Sequence, residues 1–182
     1  LAIPLGCAAL AIAAKQLGAL PLANILLVTQ SVGSWQGREE VWSRAIYMMQ
    51  DFPYTGVGMG TFNRVANIMY PFFLAGPEAQ IPHAHNLFLQ VGVDLGYPGL
   101  IAYLAMVLVC IALAWRSYGL SRKRNETSMA ALAVGLLGSF VALVVHGLTD
   151  AASWGTKPAV IQWAIMGLAI ALHGQLLDRP TR

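Results

Sequence analysis

The sequence YPGLIAYLAMVLVCIALAW at Tyr97–Trp115 decides the fold of this chain. It carries no charged residue, and its length is close to the roughly 20 apolar residues that an α-helix needs to cross the hydrocarbon core of a membrane. Two later stretches, Met129–Leu148 and Pro158–Leu177, have the same character. Together they predict three membrane-spanning helices in the second half of the chain.

The composition supports an all-α, polytopic helical membrane protein. Of the 182 residues, 57% are hydrophobic and 10% are charged, whereas soluble domains average about 25% charged residues. The net charge of +3 is too small and too scattered to indicate a nucleic-acid partner. Cys7 and Cys110 lie inside apolar runs, which favours buried packing over a disulfide or a metal site.

The basic residues predict the orientation of the spans, because short cytoplasmic loops of membrane proteins are rich in Lys and Arg. The turn Thr149–Lys157 has one acid and one base. The link between the first two spans and the C-terminal tail are richer in bases: Arg116, Arg122, Lys123 and Arg124 in the link, Arg179 and Arg182 in the tail. We therefore expect a multi-pass membrane protein with a cytoplasmic link and tail, and with the turn and the preceding loop outside.

These arguments divide the chain into three parts. Residues 1–14 are apolar but short and do not begin with Met, so we expect the end of a truncated membrane helix and a chain that starts mid-protein. Residues 15–96 are predicted to form a large extracytoplasmic loop with short helices. Residues 97–182 are predicted to form the bundle of three transmembrane helices.

Three helices are predicted within the loop. In Gly37–Gln50, Val41, Trp42, Ala45, Ile46 and Met49 recur at helical spacing. Thr61 is a predicted N-cap of a second helix that ends before Pro71. A third helix is expected to begin at Pro82 and to run towards Gly96. Between the first two, Gly56-Val57-Gly58-Met59-Gly60 matches neither nucleotide-binding glycine motif, so it predicts a tight turn.

The sequence Pro82-His83-Ala84-His85-Asn86 is the strongest candidate for chemistry. A histidine in the first turn of a helix lies beside unpaired N–H groups that disfavour its protonation and attract anions. Such a histidine is suited to take a proton from a sugar hydroxyl while phosphate is held nearby. The alternative is that the two histidines only cap a helix.

Other candidates lie on the same side of the predicted membrane. Arg38, Arg44 and Arg64 suit phosphate because a guanidinium donates two parallel hydrogen bonds, although they equally fit a solvated helix face. His146 and Asp150 are four residues apart at the outer end of a span, where ionisable groups are often functional. A metal site formed by these two with His83 and His85 is conceivable, but the spacing does not require one.

These residues resemble the O-antigen ligase and polymerase family of bacterial membrane proteins. The resemblance covers most of residues 35–155. It rests on Gly37-Arg38, Trp42, Asp51-Phe52-Pro53, Gly56-Val57-Gly58, Gly60, and His85-Asn86 followed after nine residues by Gly96-Tyr97-Pro98-Gly99. The later Val145-His146-Gly147-Leu148-Thr149-Asp150 is also similar to the group.

The resemblance implies a GT-C-like glycosyltransferase that moves a glycan from an undecaprenyl-diphosphate carrier to an acceptor hydroxyl at the periplasmic face. It implies lipid-linked glycan, a glycan or lipid acceptor and membrane lipids as partners, and no metal or other cofactor. His85 matches the family's base or acceptor-positioning histidine, and Arg38 matches an arginine that is a candidate for the diphosphate. Arg44, Arg64, His83, Asn86, His146 and Asp150 complete the predicted substrate-binding set.

One alternative function comes from the stretch Gln80–Gln90, which most resembles a branch of the family described as bicarbonate transporters. A transporter is expected to have polar or broken helices near the middle of the membrane. The three predicted spans contain little of this kind. Their polar members include Ser139 and Gln162, and no charged residue lies mid-span.

Overall fold

The computed structural model describes residues 34–74, 76, 79–155 and 157–178. Within these ranges the chain is helical and contains no strand, which confirms the predicted fold class. The predicted first span at residues 1–14, with Cys7, lies outside the described residues. The five helices are α1 (Trp35–Asp51), α2 (Phe62–Met69), α3 (Leu87–Lys123), α4 (Thr127–Gly147) and α5 (Ala159–Leu177).

Helices α3, α4 and α5 are long and apolar enough to cross a membrane, as predicted. Their shared core contains Tyr103, Cys110, Phe140 and Met166, while many large apolar side chains on their outer faces remain exposed. This distribution fits helices that pack together on one side and face lipid on the other. At the end with the α3–α4 link, Nη1 of Arg124 donates to the carbonyl of Leu176 at 2.7 Å.

The loop helices α1 and α2 form a second small core. Ser34 caps α1 by accepting a hydrogen bond from the Gly37 N–H, and α1 ends at Asp51, before Pro53, as predicted. Its buried stripe includes Met48, whereas Ile46 of the predicted stripe is 43% exposed. The N-cap of α2 is Thr61 and α2 ends at Met69, so its predicted bounds are confirmed.

The third loop helix begins later than predicted. Asn86, not Pro82, is adjacent to its first turn, and the Asn86 side chain accepts hydrogen bonds from the N–H groups of Phe88 and Leu89. Asparagine is a strong N-cap because its oxygen satisfies the unpaired N–H groups of the first turn. Both histidines therefore lie in the loop before α3, and the prediction that they occupy its first turn was wrong.

Helix α3 is broken at Gly96, which has φ 70° and ψ −176°. Beyond this break the N–H of Tyr97 donates to the carbonyl of Pro53 instead of to Val93, and Pro98 has no N–H to offer Asp94. The carbonyls of Val93 and Asp94 are thereby released. The first part of α3 contributes to both cores, with Leu87 and Val91 in the core of the bundle and Val93 in the core of the loop helices, whereas the second part packs in the bundle.

The glycine-rich turn satisfies these two carbonyls. The N–H groups of Val57 and Gly58 donate to the carbonyls of Val93 and Asp94 at 2.8 and 3.1 Å. Gly56, Gly58 and Gly60 all have positive φ, which confirms a turn that depends on glycine. Because these two N–H groups pair with carbonyls at the break in α3, they are not free to bind phosphate.

Gly56 offers a test of this docking. A Cβ on Gly56 would lie 2.5 Å from backbone atoms of Asp94 and Leu95, and its φ is +64°. We expect Gly56→Ala to lower the free energy of unfolding by about 2–5 kcal/mol, from backbone strain of about 1–2 kcal/mol and overpacking of about 1–3 kcal/mol. Thermal or denaturant unfolding of the detergent-solubilised protein measures this loss.

Gly60→Ala is the matched control for the Gly56 variant. Gly60 has φ +73°, but a Cβ there would meet no atom within 4 Å. It should therefore lose only the contribution from backbone strain. Equal losses for the two variants would show that contact with α3 is not what requires glycine at position 56.

Candidate functional site

The loop that carries the two histidines is held in place on three sides. The N–H of Ile81 donates to the Asn63 side chain at 2.8 Å, and the N–H of Ala84, which is fully buried, donates to the Gln90 side chain at 2.7 Å. Nε1 of Trp42 lies 3.4 Å from the carbonyl of His85. These contacts stabilise His85 in a left-handed conformation (φ 48°) that is uncommon for residues other than glycine.

The structure brings His83, His85 and Asp150 together. Oδ1 of Asp150 lies 4.0 Å from Nε2 of His83 and 3.9 Å from Nδ1 of His85. The two imidazole rings meet edge to face, with centroids 4.3 Å apart. All three side chains are partly accessible, with 22%, 24% and 37% of their surface exposed for His83, His85 and Asp150 respectively.

A backbone hydrogen bond selects the tautomer of His83. The N–H of His85 donates to Nδ1 of His83 at 3.2 Å, so Nδ1 keeps its lone pair and the proton of the neutral ring lies on Nε2. This proton faces Asp150. Oδ1 of Asp150 is 3.9 Å from Nδ1 of His85, too far for a hydrogen bond, but its negative charge favours the tautomer with the proton on Nδ1, which would leave Nε2 of His85 as the free base.

Asp150 reaches the histidines through the α4–α5 connection. Nδ2 of Asn86 donates to the carbonyl of Leu148 at 3.1 Å, and the N–H of Asp150 donates to the carbonyl of His146 at 3.0 Å. Asn86 therefore caps α3 and also holds the segment that carries Asp150. In this structure the predicted role of Asn86 in substrate binding would be indirect.

Of the three predicted arginines, Arg38 is the one whose charge affects the pKa of His85. Its Nε is buried and has no hydrogen-bond partner within the described residues, although a guanidinium normally donates from all its nitrogens. Its positive charge also contributes to lowering the pKa of His85. A buried donor without a partner, whose charge acts on a partly open histidine, is suited to receive an anion.

Burial lowers the pKa of both histidines and so favours their neutral forms. Burial lowers the pKa of His85 to about 4, with further lowering by His83 and Arg38 and an opposing effect of Asp150. The pKa of His83 is also lowered by burial, against the effect of Asp150. The neutral state expected from the sequence is thus supported, but burial produces it rather than a helix N-terminus.

We expect the NMR titration of His85 in the full-length protein to give a pKa near 4. Arg38→Gln should raise this pKa and Asp150→Asn should lower it further, because they remove charges of opposite sign. Since the unfolded histidine titrates near 6.5, the stability that depends on neutral His85 is complete above pH 6.5 and is lost as the pH falls towards 4. A titration of His85 at its ordinary value would contradict this electrostatic environment.

The same three residues are close enough to be considered as metal ligands, with ligand atoms all within 4.8 Å of one another. His146, which the sequence suggested as a fourth ligand, is not in this group. Ligands of one tetrahedral zinc ion lie roughly 3.3 Å apart, given bonds of about 2.0–2.1 Å. The observed 3.9–4.0 Å is longer than that spacing and indicates an electrostatic contact between the carboxylate and the two imidazoles.

The other predicted arginines lie apart from this cluster. Arg44 forms an ion pair with Glu40 at 3.5 Å, donates to the carbonyl of Pro71 and lies over the ring of Phe73. These contacts give it a structural role in the loop domain. Arg64 is exposed on α2.

The sequence interpretation missed a buried polar chain behind the histidines. The carboxylate of Asp94, 2% exposed, accepts hydrogen bonds from Nε2 of Gln90 and from Nε1 of Trp154, both at 2.9 Å. Because Gln90 also accepts from the Ala84 N–H, the chain links the histidine loop to the α4–α5 connection. A lone acid inside the apolar first part of α3 was the signal for it.

The fold and the site define a helical membrane protein with a histidine–carboxylate–arginine cluster at one end of its apolar bundle. The chain belongs to the O-antigen ligase family, whose model matches residues 1–104, more than half of the sequence. The match includes Arg38, His83 and His85. No curated protein matches the chain. Family membership supports a function of O-antigen ligase or polymerase type in general, with lipid-linked glycan and acceptor partners.

Proposed function

We propose that the protein transfers a glycan from an undecaprenyl-diphosphate carrier to an acceptor hydroxyl, with His85 as the base. The observation that carries this proposal is the position of His85, 3.9 Å from the carboxylate of Asp150 and within the electrostatic influence of Arg38, beside the start of a long apolar helix. A base, a group that orients it and an anion-binding group are the parts that transfer from a diphosphate requires.

The reaction can be written on these residues. Nε2 of His85 takes the proton of the acceptor hydroxyl, whose oxygen attacks the anomeric carbon of the donor sugar. The bond from that carbon to the phosphate oxygen breaks, and the lipid diphosphate leaves with the electron pair. Asp150 stabilises the resulting imidazolium through Nδ1, as a carboxylate does for a catalytic histidine, and Arg38 stabilises the charge on the leaving diphosphate.

Donor binding is expected to strengthen the base. In the free site the positive charge of Arg38 helps to hold the pKa of His85 near 4. A bound diphosphate would offset that charge and add negative charge nearby, and both changes raise the pKa of a histidine. The base would thus become effective when the donor is present, since general bases work best with a pKa near the working pH.

We further propose that the site faces the periplasm. Asn86 and Leu148, which are in contact, place the site at the end of the bundle opposite the α3–α4 link. That link is rich in basic residues and therefore predicted to be cytoplasmic. Labelling of a single introduced cysteine with a membrane-impermeant thiol reagent in intact cells tests this orientation: Tyr54→Cys should react and Gly119→Cys should not.

The test of function is transfer by the full-length protein in liposomes. Undecaprenyl-diphosphate-linked glycan and an acceptor are supplied together in a buffer that contains a metal chelator. Product formation is followed by gel shift or mass spectrometry. We expect product to form without added nucleotide sugar. Failure to form product in vesicles that instead accumulate labelled bicarbonate would contradict the proposal and support the transporter alternative.

A further inference from the structure

A cavity separate from the cluster of His83, His85 and Asp150 lies between α4, α5 and their connection. It has a volume of about 290 Å³, near the lower end of ligand-binding cavities. Its walls are largely apolar and include Leu143, Ile161 and Ile165. The α5 face beside it is exposed, with Val160 67% and Ile161 61% accessible, as expected for a surface in contact with the acyl chains of the bilayer.

Two polar side chains in this cavity have unused hydrogen-bonding groups. Gln162 is only 1% exposed, yet its Nε2 has no hydrogen-bond partner in the described part of the chain, and the same holds for Oγ of Ser153. The amide is oriented by Tyr103, whose hydroxyl donates to Oε1 of Gln162 at 2.9 Å. Leaving such donors unpaired costs about 1–3 kcal/mol each, so their retention indicates a ligand that accepts hydrogen bonds.

The chemistry of the cavity narrows the ligand class. Its apolar walls suit a hydrocarbon chain, while the free N–H groups of Gln162 and the hydroxyl of Ser153 need an acceptor inside that apolar space. An ester-linked acyl chain supplies a carbonyl oxygen next to a hydrocarbon tail. An isoprenoid chain has no acceptor along its length, and a water molecule would not use the apolar walls.

We propose that this cavity binds one ester-linked acyl chain of a bilayer glycerophospholipid, with its carbonyl accepting from Gln162 and Ser153. The lipid would lie beside the histidine site, since Ser153 follows Asp150 by three residues and is therefore within about 11 Å of it along the chain. Tyr103 also packs edge to face on Trp154, at 5.5 Å, and Trp154 bonds to Asp94. The cavity and the site thus share a continuous set of contacts.

Photolabelling of the full-length protein in nanodiscs tests this proposal. The probe is a diacyl phosphatidylethanolamine with a diazirine on one acyl chain, and cross-linked peptides are mapped by mass spectrometry. We expect labelling on residues 158–165, competed by unlabelled diester lipid about ten- to a hundredfold better than by its diether analogue, the ratio expected for two hydrogen bonds. A diazirine-bearing isoprenyl phosphate should not label these residues.

Gln162→Leu and Gln175→Leu form the variant pair. Gln162→Leu keeps the side-chain volume and removes the amide, so the preference for the diester should fall to about three- to tenfold, the ratio expected for the one remaining hydrogen bond from Ser153. Gln175→Leu, at an exposed position of the same helix, should retain the full preference. Equal competition by diester and diether in the wild type, or stronger labelling by the isoprenyl probe, would overturn the proposal. The lipid-binding proposal goes beyond the proposed function. Because photolabelling does not require glycan transfer, its outcome is independent of that activity.

Discussion

Replacement of His85 by alanine in the full-length protein is expected to reduce glycan transfer by about 10²–10⁴-fold, the usual contribution of a general base. Membrane insertion and folding should persist, because the hydrogen bonds of His85 with Trp42 and His83 use its backbone. Single-turnover transfer in liposomes measures the loss. Asp150→Asn should give a smaller loss, since it removes the group that orients the base and leaves the base itself.

His173→Ala is the matched control for the His85 variant. His173 lies on α5 near the end of the bundle opposite the site, and its Nδ1 is 3.2 Å from Oγ of Ser117. We expect near wild-type transfer from it. Wild-type transfer by His85→Ala would rule out the proposed base, and an equal loss in both variants would point to a general effect on the bundle.

Replacement of Arg38 by glutamine is expected to lower kcat/KM for the lipid-linked donor by about 10²–10³-fold, the typical loss when one group that stabilises transition-state charge is removed. Arg38→Lys should recover only part of this loss, because lysine keeps the charge but cannot donate in a planar fork. Initial rates over a range of donor concentrations separate the effects on kcat and KM.

The fold should tolerate the Arg38 change. Within the part of the chain that the structure describes, the guanidinium forms no hydrogen bond or ion pair, and its buried Nε is unpaired. Arg116→Gln, an exposed arginine at the other end of α3, is the control and should leave transfer unchanged. Unaltered donor kinetics in Arg38→Gln would exclude Arg38 as the diphosphate ligand.

The histidine loop shows where prediction from sequence was incomplete. His83 and His85 were predicted to lie in the first turn of a helix opened by Pro82. Proline is compatible with the first turn of a helix but does not require one. The helix begins after Asn86 instead, because the Asn86 side chain caps it by accepting from two N–H groups at once. The histidines are neutral in both descriptions, but burial causes this in the structure.

The arginines show a second limit. Arg38, Arg44 and Arg64 share one loop and equally suit phosphate in sequence. Only the packing of the loop helices separates them, because it brings the charge of Arg38 to bear on His85, pairs Arg44 with Glu40 and leaves Arg64 exposed. Such distinctions depend on which faces of α1 and α2 are buried, and the hydrophobic pattern resolves those faces only approximately.

Sequence alone determined that this chain is a helical membrane protein with three apolar spans, as Tyr97–Trp115 already indicated, because the length and apolar character of a span are local properties. Only the tertiary structure decided that Asp150 lies between His83 and His85. It also decided that the glycine turn caps the broken α3 and that Asp94 links the loop to the α4–α5 connection. These contacts join residues up to 67 positions apart (His83 to Asp150), and pairings at that range depend on how the helices pack.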